Sequence, residues 1–177
     1  MPDLLTPEPL VVTGGRSVIA PVAIDGLPAE VEALGERWQR KSEFHLTAIA
    51  FRALESLDPT LPGAWELVER LVAARALGPV SVTADLRRVR HPDEPQLRTL
   101  IVIVECPGLV PLYGELSAAL GVPLSPPPAH VTLYSTDPDK GIGIVDRREL
   151  LERAPPLSPD ERTEIRRAVR FGELFGR

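Results

Sequence analysis

Apolar residues along this chain recur either at every second position or at helical spacing, and turn residues separate the segments. Alternating or continuous apolar stretches predict strands at 17–24, 43–54, 80–87, 97–106 and 129–136, with a short return strand at 142–145. Helical spacing predicts helices at 28–40, from about 65 to 78, at 109–120 and from 158 to about 175. Strands and helices therefore alternate along most of the chain.

This order of elements predicts layers of sheet and helix, of the α/β or α+β class, in a single domain spanning residues 1–177. Residues 1–15 are rich in proline and glycine without a clear period, and we expect a loose N-terminal lead-in there. The helix at 158–175 is the best marked, because its first residues form a capping box with proline at the first helical position.

The composition is that of a folded globular protein, with 44% hydrophobic and 25% charged residues. A net charge of −5 argues against wrapping of long nucleic acid, whereas a small anionic ligand or the end of an RNA strand needs only a few local charges. The first residues given lack the basic segment and long apolar core typical of a secretory signal, and the apolar run 100–104 is too short to span a bilayer. Cys106 is the only cysteine. We expect a cytoplasmic, monomeric protein without membrane contact.

A short motif occurs twice in predicted strands, as His45-Leu46-Thr47-Ala48 and as His130-Val131-Thr132-Leu133. The chain has three histidines, and two of them open this motif about half a chain length apart. In a strand, the histidine and the threonine of each motif lie on one face, roughly 6.5 Å apart along the backbone. The residue between them points to the opposite face and anchors the strand in the core.

Two such strands that meet at a cleft would bring two imidazoles and two hydroxyls to one small volume. This arrangement suits a phosphate, because hydroxyls donate hydrogen bonds to its oxygens and imidazoles titrate near neutral pH. One neutral imidazole can take a proton from water while a protonated one gives a proton to the departing oxygen. No metal and no cofactor are needed for this chemistry.

The two motifs, their spacing and the order of strands resemble the two-histidine (2H) phosphoesterase superfamily. The segment Pro128-Ala129-His130-Val131-Thr132-Leu133-Tyr134 is the closer match, whereas Ala48 is smaller than the residue usual at that place. The resemblance implies a bilobal α+β domain of two intertwined lobes, with two pseudo-symmetric antiparallel sheets, helices on the outer faces and a central cleft.

The resemblance also implies a hydrolase. Its expected activity is metal-independent hydrolysis of a 2′,3′-cyclic phosphate or a related phosphodiester, in a nucleotide or at an RNA end, as in RNA processing. By the same likeness, His45 and His130 are the acid–base pair. The sequence leaves open which of them is the acid, and the two roles reverse with the direction of the reaction. Thr47 and Thr132 would donate hydrogen bonds to the phosphate.

Three other interpretations of the motifs stay open from the sequence. The site can bind nucleotides or RNA ends without turnover, since a fold and a site do not guarantee catalysis. The two histidines can be chance residues in core strands. A zinc site built from His45, His91 and His130 is also conceivable, although no closely spaced ligand pair accompanies it.

Further residues are candidates for contact with substrate. Tyr134 is two residues after Thr132, so the period of two places it on the histidine face, where it can bind substrate or simply pack in the core. Basic side chains occur in two groups. Arg37, Arg40 and Lys41 can steer an anion or merely face solvent at a helix end. Arg87, Arg88 and Arg90, with His91, can contact RNA or form a charged strand edge that discourages aggregation. The segment 141–143 lacks the third glycine or the lysine of a phosphate loop.

Overall fold

An antiparallel sheet of nine strands lies at the centre of the protein in a computed structural model that describes residues 4–14, 17–50 and 63–175. The strands are β1 Leu4–Leu5, β2 Val11–Val12, β3 Val18–Pro21, β4 Glu30–Ala33, β5 Glu36–Arg40, β6 His45–Ile49, β7 Val80–Arg90, β8 Arg98–Glu105 and β9 His130–Ser135. The helices are α1 Ala64–Val72, α2 Leu109–Leu120, α3 Arg147–Arg153, α4 Pro159–Ala168 and α5 Phe171–Leu174. The fold is therefore α+β.

The strand order in the sheet is β1-β7-β8-β9-β6-β3-β2, with every neighbouring pair antiparallel. Strand β5 also pairs with β9, further along the edge that β6 occupies, and β4 pairs with β5. Strand β9 is thus flanked by β8 on one side and by β6 and β5 on the other. The two strands that carry the His-x-Thr motifs are direct neighbours.

The two faces of the sheet are covered differently. Leu46 and Val131 belong to the main hydrophobic core together with apolar residues of α1 and α2, such as Val68 and Leu116. A second, smaller core cluster lies over β7 and β8, where Ile101 meets residues that follow the turn after β9, namely Ile142, Ile144 and Leu150. Ile101 is paired with Thr132, so this cluster covers part of the sheet face that carries the motif side chains.

The helix predicted at 28–40 is wrong, because this segment forms the hairpin of β4 and β5. Val31, Leu34 and Trp38 mimic helical spacing, but Val31 lies directly across from Trp38 in the hairpin, and both are buried. Leu34 and Gly35 form a two-residue turn with φ of 55° and 69°, the type I′ geometry that matches strand twist. The indole N–H of Trp38 donates to the Ala33 carbonyl at 2.9 Å, which removes its desolvation penalty.

Other predicted elements are confirmed or corrected by the structure. Strands at 80–87, 97–106 and 129–136 and the helix at 109–120 are confirmed within a few residues. The helix predicted from about 65 to 78 is confirmed at its start, but it ends at Val72. The return strand at 142–145 is wrong, since these residues have no regular structure. The strand predicted at 43–54 runs from His45 to Ile49, and residues 51–54 lie outside the described part. In place of a loose lead-in, β1 and β2 add short strands to the sheet.

The C-terminal region contains more helices than predicted. The capping box at Ser158 and Glu161 is confirmed, but α4 ends at Ala168 and α5 follows it, because Arg170 adopts a left-handed conformation with φ of 57°. Helix α3 was not predicted from the sequence. Its N-cap is Asp146, whose carboxylate accepts a hydrogen bond from the Glu149 N–H at 2.7 Å.

Candidate active site

The four motif side chains lie on one face of the sheet, at its centre. Leu46 of β6 pairs with Val131 of β9. Extending this antiparallel register by one residue in each direction sets His45 opposite Thr132, and Thr47 opposite His130. Residues directly opposite each other point to the same face, with Cβ atoms about 4.5–5.5 Å apart. Each imidazole therefore has a hydroxyl both along its own strand and across from it.

These four side chains line one cavity of about 480 Å³. The rest of its wall comes from the segment before β6 and from the loop after β9: Lys41, Ser42, Glu43, Pro138, Asp139, Gly141, Ile142 and Gly143. The structure thus brings together two motifs that are half a chain apart in the sequence. It does so within one continuous sheet.

His130 is held in one tautomer by the backbone. Its Nδ1 lies 2.8 Å from the carbonyl oxygen of Pro128, and a carbonyl can only accept, so Nδ1 carries the proton. In the neutral ring Nε2 then has a free lone pair. The side chain is 7% exposed and lines the cavity. Burial, and more weakly the neighbouring His45, lower the pKa of His130, while the Pro128 carbonyl opposes this shift.

His45 is less buried and has a different hydrogen-bond environment. Its Nδ1 is buried and has no hydrogen-bond partner in the described part of the chain. Because Nδ1 is shielded, Nε2 is the nitrogen through which this ring exchanges protons. Burial is the main cause that lowers the pKa of His45, the Lys41 cation lowers it further, and Glu43 opposes both.

Lys41 fixes the loop that forms one wall of the cavity. Its ammonium group donates to the carbonyl oxygen of Pro138 and to that of Lys140, the latter at 3.2 Å. The backbone N–H of Lys41 donates to the Leu133 carbonyl at 3.0 Å. Burial lowers the pKa of Lys41, and nearby carboxylates, first Asp139, partly offset this. The sequence reading placed Lys41 at a helix end, and the hairpin instead brings it to the cavity.

The segment 141–143 also belongs to the cavity wall, although it lacks the sequence of a phosphate loop. Ile142 and Ile144 anchor the chain in the second core cluster. A Cβ atom added at Gly141 or Gly143 would meet nothing within 4 Å. Both glycines therefore border open space. In the sequence, the alternation of glycine with isoleucine was the pattern that could have indicated a segment with one buried side and one open side.

Tyr134 does not line the cavity, and its predicted place on the histidine face is wrong. Leu100 pairs with Tyr134 but Ile101 pairs with Thr132, which leaves Leu133 as an extra residue in a β-bulge. The bulge reverses the alternation, so Tyr134 points into the main core, where it is 0% exposed. Its hydroxyl donates to the Pro28 carbonyl at 2.9 Å. A substrate cannot reach it there.

The other basic candidates are engaged elsewhere. Arg37 pairs with Glu30, and Arg87 pairs with Asp85 at 2.8 Å. Arg88 lies 3.4 Å from Glu36, a carboxylate that also pairs with Arg98, which was not a candidate, at 2.6 Å. None of these arginines lines the cavity.

His91 is also remote from the other two histidines. Its Nδ1 accepts from the N–H groups of Asp93 and Glu94, at 3.2 Å and 3.0 Å, within the loop between β7 and β8. No group of three or more His, Cys, Asp or Glu side chains is placed to hold a metal ion in the residues that the structure describes. The three-histidine zinc site therefore does not form.

Within the described ranges, every helix is too short or too polar to cross a bilayer. A comparison of the chain with protein families, with curated proteins and with solved structures found no match. The geometry of the cavity is thus the main guide to function.

Proposed function

We propose that this protein is a metal-independent phosphodiesterase that hydrolyses a 2′,3′-cyclic phosphate or a related phosphodiester, in a nucleotide or at an RNA end. The observation that carries the proposal is the convergence of His45, His130, Thr47 and Thr132 on one cavity at the centre of the sheet. The resemblance of the motifs to the 2H phosphoesterases supports the same conclusion.

In this mechanism His130 is the general base. Its Nδ1–H is committed to the Pro128 carbonyl, so the lone pair on Nε2 is available to accept a proton from water. The oxygen of this water forms a bond to phosphorus, and the bond from phosphorus to the ester oxygen breaks. His45 in its protonated form gives a proton to that departing oxygen.

The two threonines serve the phosphate itself. Each hydroxyl donates a hydrogen bond to a non-bridging oxygen, whose negative charge grows or shifts in the transition state. The bound phosphate also favours the charged form of the acid, because an anion beside an imidazole stabilises its protonated state. This opposes the burial that lowers the pKa of His45 in the free protein.

The pairing of the motif strands is compatible with a bilobal, pseudo-symmetric fold. Two antiparallel neighbours are related by an approximate twofold axis between the central residues Leu46 and Val131. One half of the sheet would comprise β6, β3 and β2, and the other β9, β8, β7 and β1. Each half contributes one histidine and one threonine.

The alternative is a module that binds nucleotides or RNA ends without cleaving them. Both histidines have lowered pKa values in the free protein, so both rings tend to be neutral there. If bound substrate does not raise one of these pKa values again, the general acid is missing and the binding module is favoured. Turnover of a substrate separates the two candidates.

The test is hydrolysis of 2′,3′-cyclic nucleotides by the purified protein in the presence of EDTA, with thermal-shift measurements on the same ligands. We expect turnover to a nucleoside monophosphate in EDTA. A thermal shift without turnover across a broad panel of phosphodiesters would favour the binding module. Activity that returns only on addition of a metal would refute the two-histidine mechanism.

A further inference from the structure

A second cavity, of about 690 Å³, adjoins the candidate active site. The two cavities share four wall residues, Lys41, Ser42, Glu43 and His45. His130 and both threonines line only the first cavity. His45 therefore stands at the boundary between a cavity that suits a phosphate and one that extends away from it.

The strand register places both cavities on one face of the sheet. In the pairing of β3 with β6, Ile19 lies opposite Thr47, and Pro21 lies opposite His45. Val11 of β2 lies opposite Ile19 in turn. Ile19, Pro21 and Val11 all line the second cavity. From β9 to β2 there are three strand intervals, or roughly 14 Å, a span comparable with that of a nucleoside phosphate.

The wall of the second cavity suits an uncharged ligand that has hydroxyl groups and a flat ring. Its apolar part includes Phe44, which is half-buried and also packs against the main core, so that only its exposed part can contact a base. Its carboxylates are the exposed Glu8, Asp25 and Glu43, which can accept hydrogen bonds from ribose hydroxyls.

The charges of this cavity disfavour a second phosphate. Among the described residues of its wall, three carboxylates face two cations, and both cations already donate to the backbone. Arg40 donates to the Leu27 carbonyl at 2.7 Å, and Lys41 donates to carbonyls of the loop after β9. A second phosphate would therefore be repelled by the carboxylates, and it would have to compete with backbone carbonyls for the two cations.

We propose that the second cavity holds the nucleoside of the substrate, and that the substrate is a cyclic mononucleotide rather than the end of an RNA chain. This inference rests on the proposed function. The ribose oxygen that leaves phosphorus then departs toward the second cavity and takes its proton from His45 at the boundary. Water enters from the side of His130, so bond formation and bond cleavage occur on opposite sides of phosphorus.

Ala23 offers a way to block the second cavity alone. It is exposed, lines this cavity and is absent from the wall of the first. In Ala23→Trp the indole fills space that the nucleoside would occupy. Ala119→Trp on α2 is the matched control, because Ala119 is also exposed and lines neither cavity.

The variants are compared on 2′,3′-cyclic AMP and on ethylene phosphate, a five-membered cyclic phosphodiester without a nucleoside. We expect Ala23→Trp to lower kcat/KM for cyclic AMP by about tenfold or more, equivalent to about 1.4 kcal/mol, and to leave ethylene phosphate hydrolysis unchanged. We expect Ala119→Trp to change neither. An Ala23→Trp variant that loses both activities equally, or loses neither, would overturn the subsite.

Adenosine binding, followed by NMR, tests the subsite when the protein turns over neither substrate and the proposed function has failed. Loss of adenosine binding in Ala23→Trp alone supports the subsite, and equal binding by wild type and variant overturns it. A 5′-phosphate on the cyclic nucleotide is the last comparison. Tighter binding of this more highly charged ligand would overturn the preference for a cyclic mononucleotide without a second phosphate.

Discussion

At the scale of single residues, the two imidazoles differ in what Nδ1 contacts. The Nδ1–H of His130 is fixed by the Pro128 carbonyl, whereas Nδ1 of His45 is buried without a partner in the described part of the chain. A fixed tautomer favours a base that receives protons at Nε2. A more exposed ring beside a second cavity favours the acid, because it can recover its proton from solvent after each turnover.

The lowered pKa values of both histidines predict how stability depends on pH. The unfolded chain binds protons on these residues at about pH 6.5, and the folded protein does so only at lower pH. The free energy of unfolding should therefore fall as pH drops below about 6.5, until the folded histidines protonate as well. Denaturant unfolding of wild type and of His45→Gln/His130→Gln at several pH values measures this. A double variant with the same pH dependence as wild type would refute it.

The threonine hydroxyls are expected to act on kcat rather than on the fold. Thr47→Val keeps the shape of the side chain and removes one donor to the phosphate, so we expect kcat to fall on the order of 10²-fold. Thr163→Val is the control, since Thr163 is exposed on α4, its hydroxyl donates to the Pro159 carbonyl, and it lines neither cavity. Steady-state kinetics on 2′,3′-cyclic AMP provides the measurement, and an unchanged kcat in Thr47→Val would exclude the donor role.

At the scale of elements, the hairpin of β4 and β5 brings Lys41 to the cavity. Its turn depends on left-handed backbone at Leu34 and Gly35. A Cβ atom at Gly35 would meet nothing within 4 Å, so only its backbone conformation disfavours a side chain there. The second element of interest is α2, where Gly114 lies inside the helix, exposed, with no neighbour near its Cβ position.

These two glycines predict opposite effects of one substitution. Gly35→Ala should lower the free energy of unfolding by about 1–2 kcal/mol, because alanine resists a positive φ. Gly114→Ala should raise it by roughly 0.5–1 kcal/mol, because alanine favours the helix interior. Urea denaturation of both variants measures the difference. A stabilising Gly35→Ala would contradict the turn geometry, and a destabilising Gly114→Ala would contradict the place of Gly114 in an open helix interior.

The sequence predicted elements well where local signals agreed and poorly where tertiary pairing decided. Helix α2 and strands β7 and β8 have long, consistent patterns, and they were predicted. The hairpin at 30–40 was not, because Val31, Leu34 and Trp38 match the spacing of a helix and the turn lacks the usual Asn-Gly signal. The position of Tyr134 failed for another reason, since a bulge has no sequence signature in a single chain.

At the scale of the whole molecule, the sheet brings residues from distant parts of the sequence together. The convergence of the two motifs was expected from their resemblance to the 2H phosphoesterases, but their direct pairing as neighbouring strands was not. The role of Lys41 and the second cavity depend on long-range contacts, with the 41–45 segment between the two cavities. No local pattern encodes such a contact, so a single sequence could not supply it.

The central claim is that His45 and His130 act as one acid–base pair on a phosphodiester. The most direct measurement is kcat/KM for 2′,3′-cyclic AMP in EDTA, from about pH 4 to about pH 9, for wild type, His45→Gln and His130→Gln. Since both pKa values are lowered in the free protein, we expect a bell-shaped profile whose maximum lies below about pH 6.5. We expect each variant to lose at least about 10²-fold in kcat/KM while it remains folded. Wild-type activity in either variant would contradict the account.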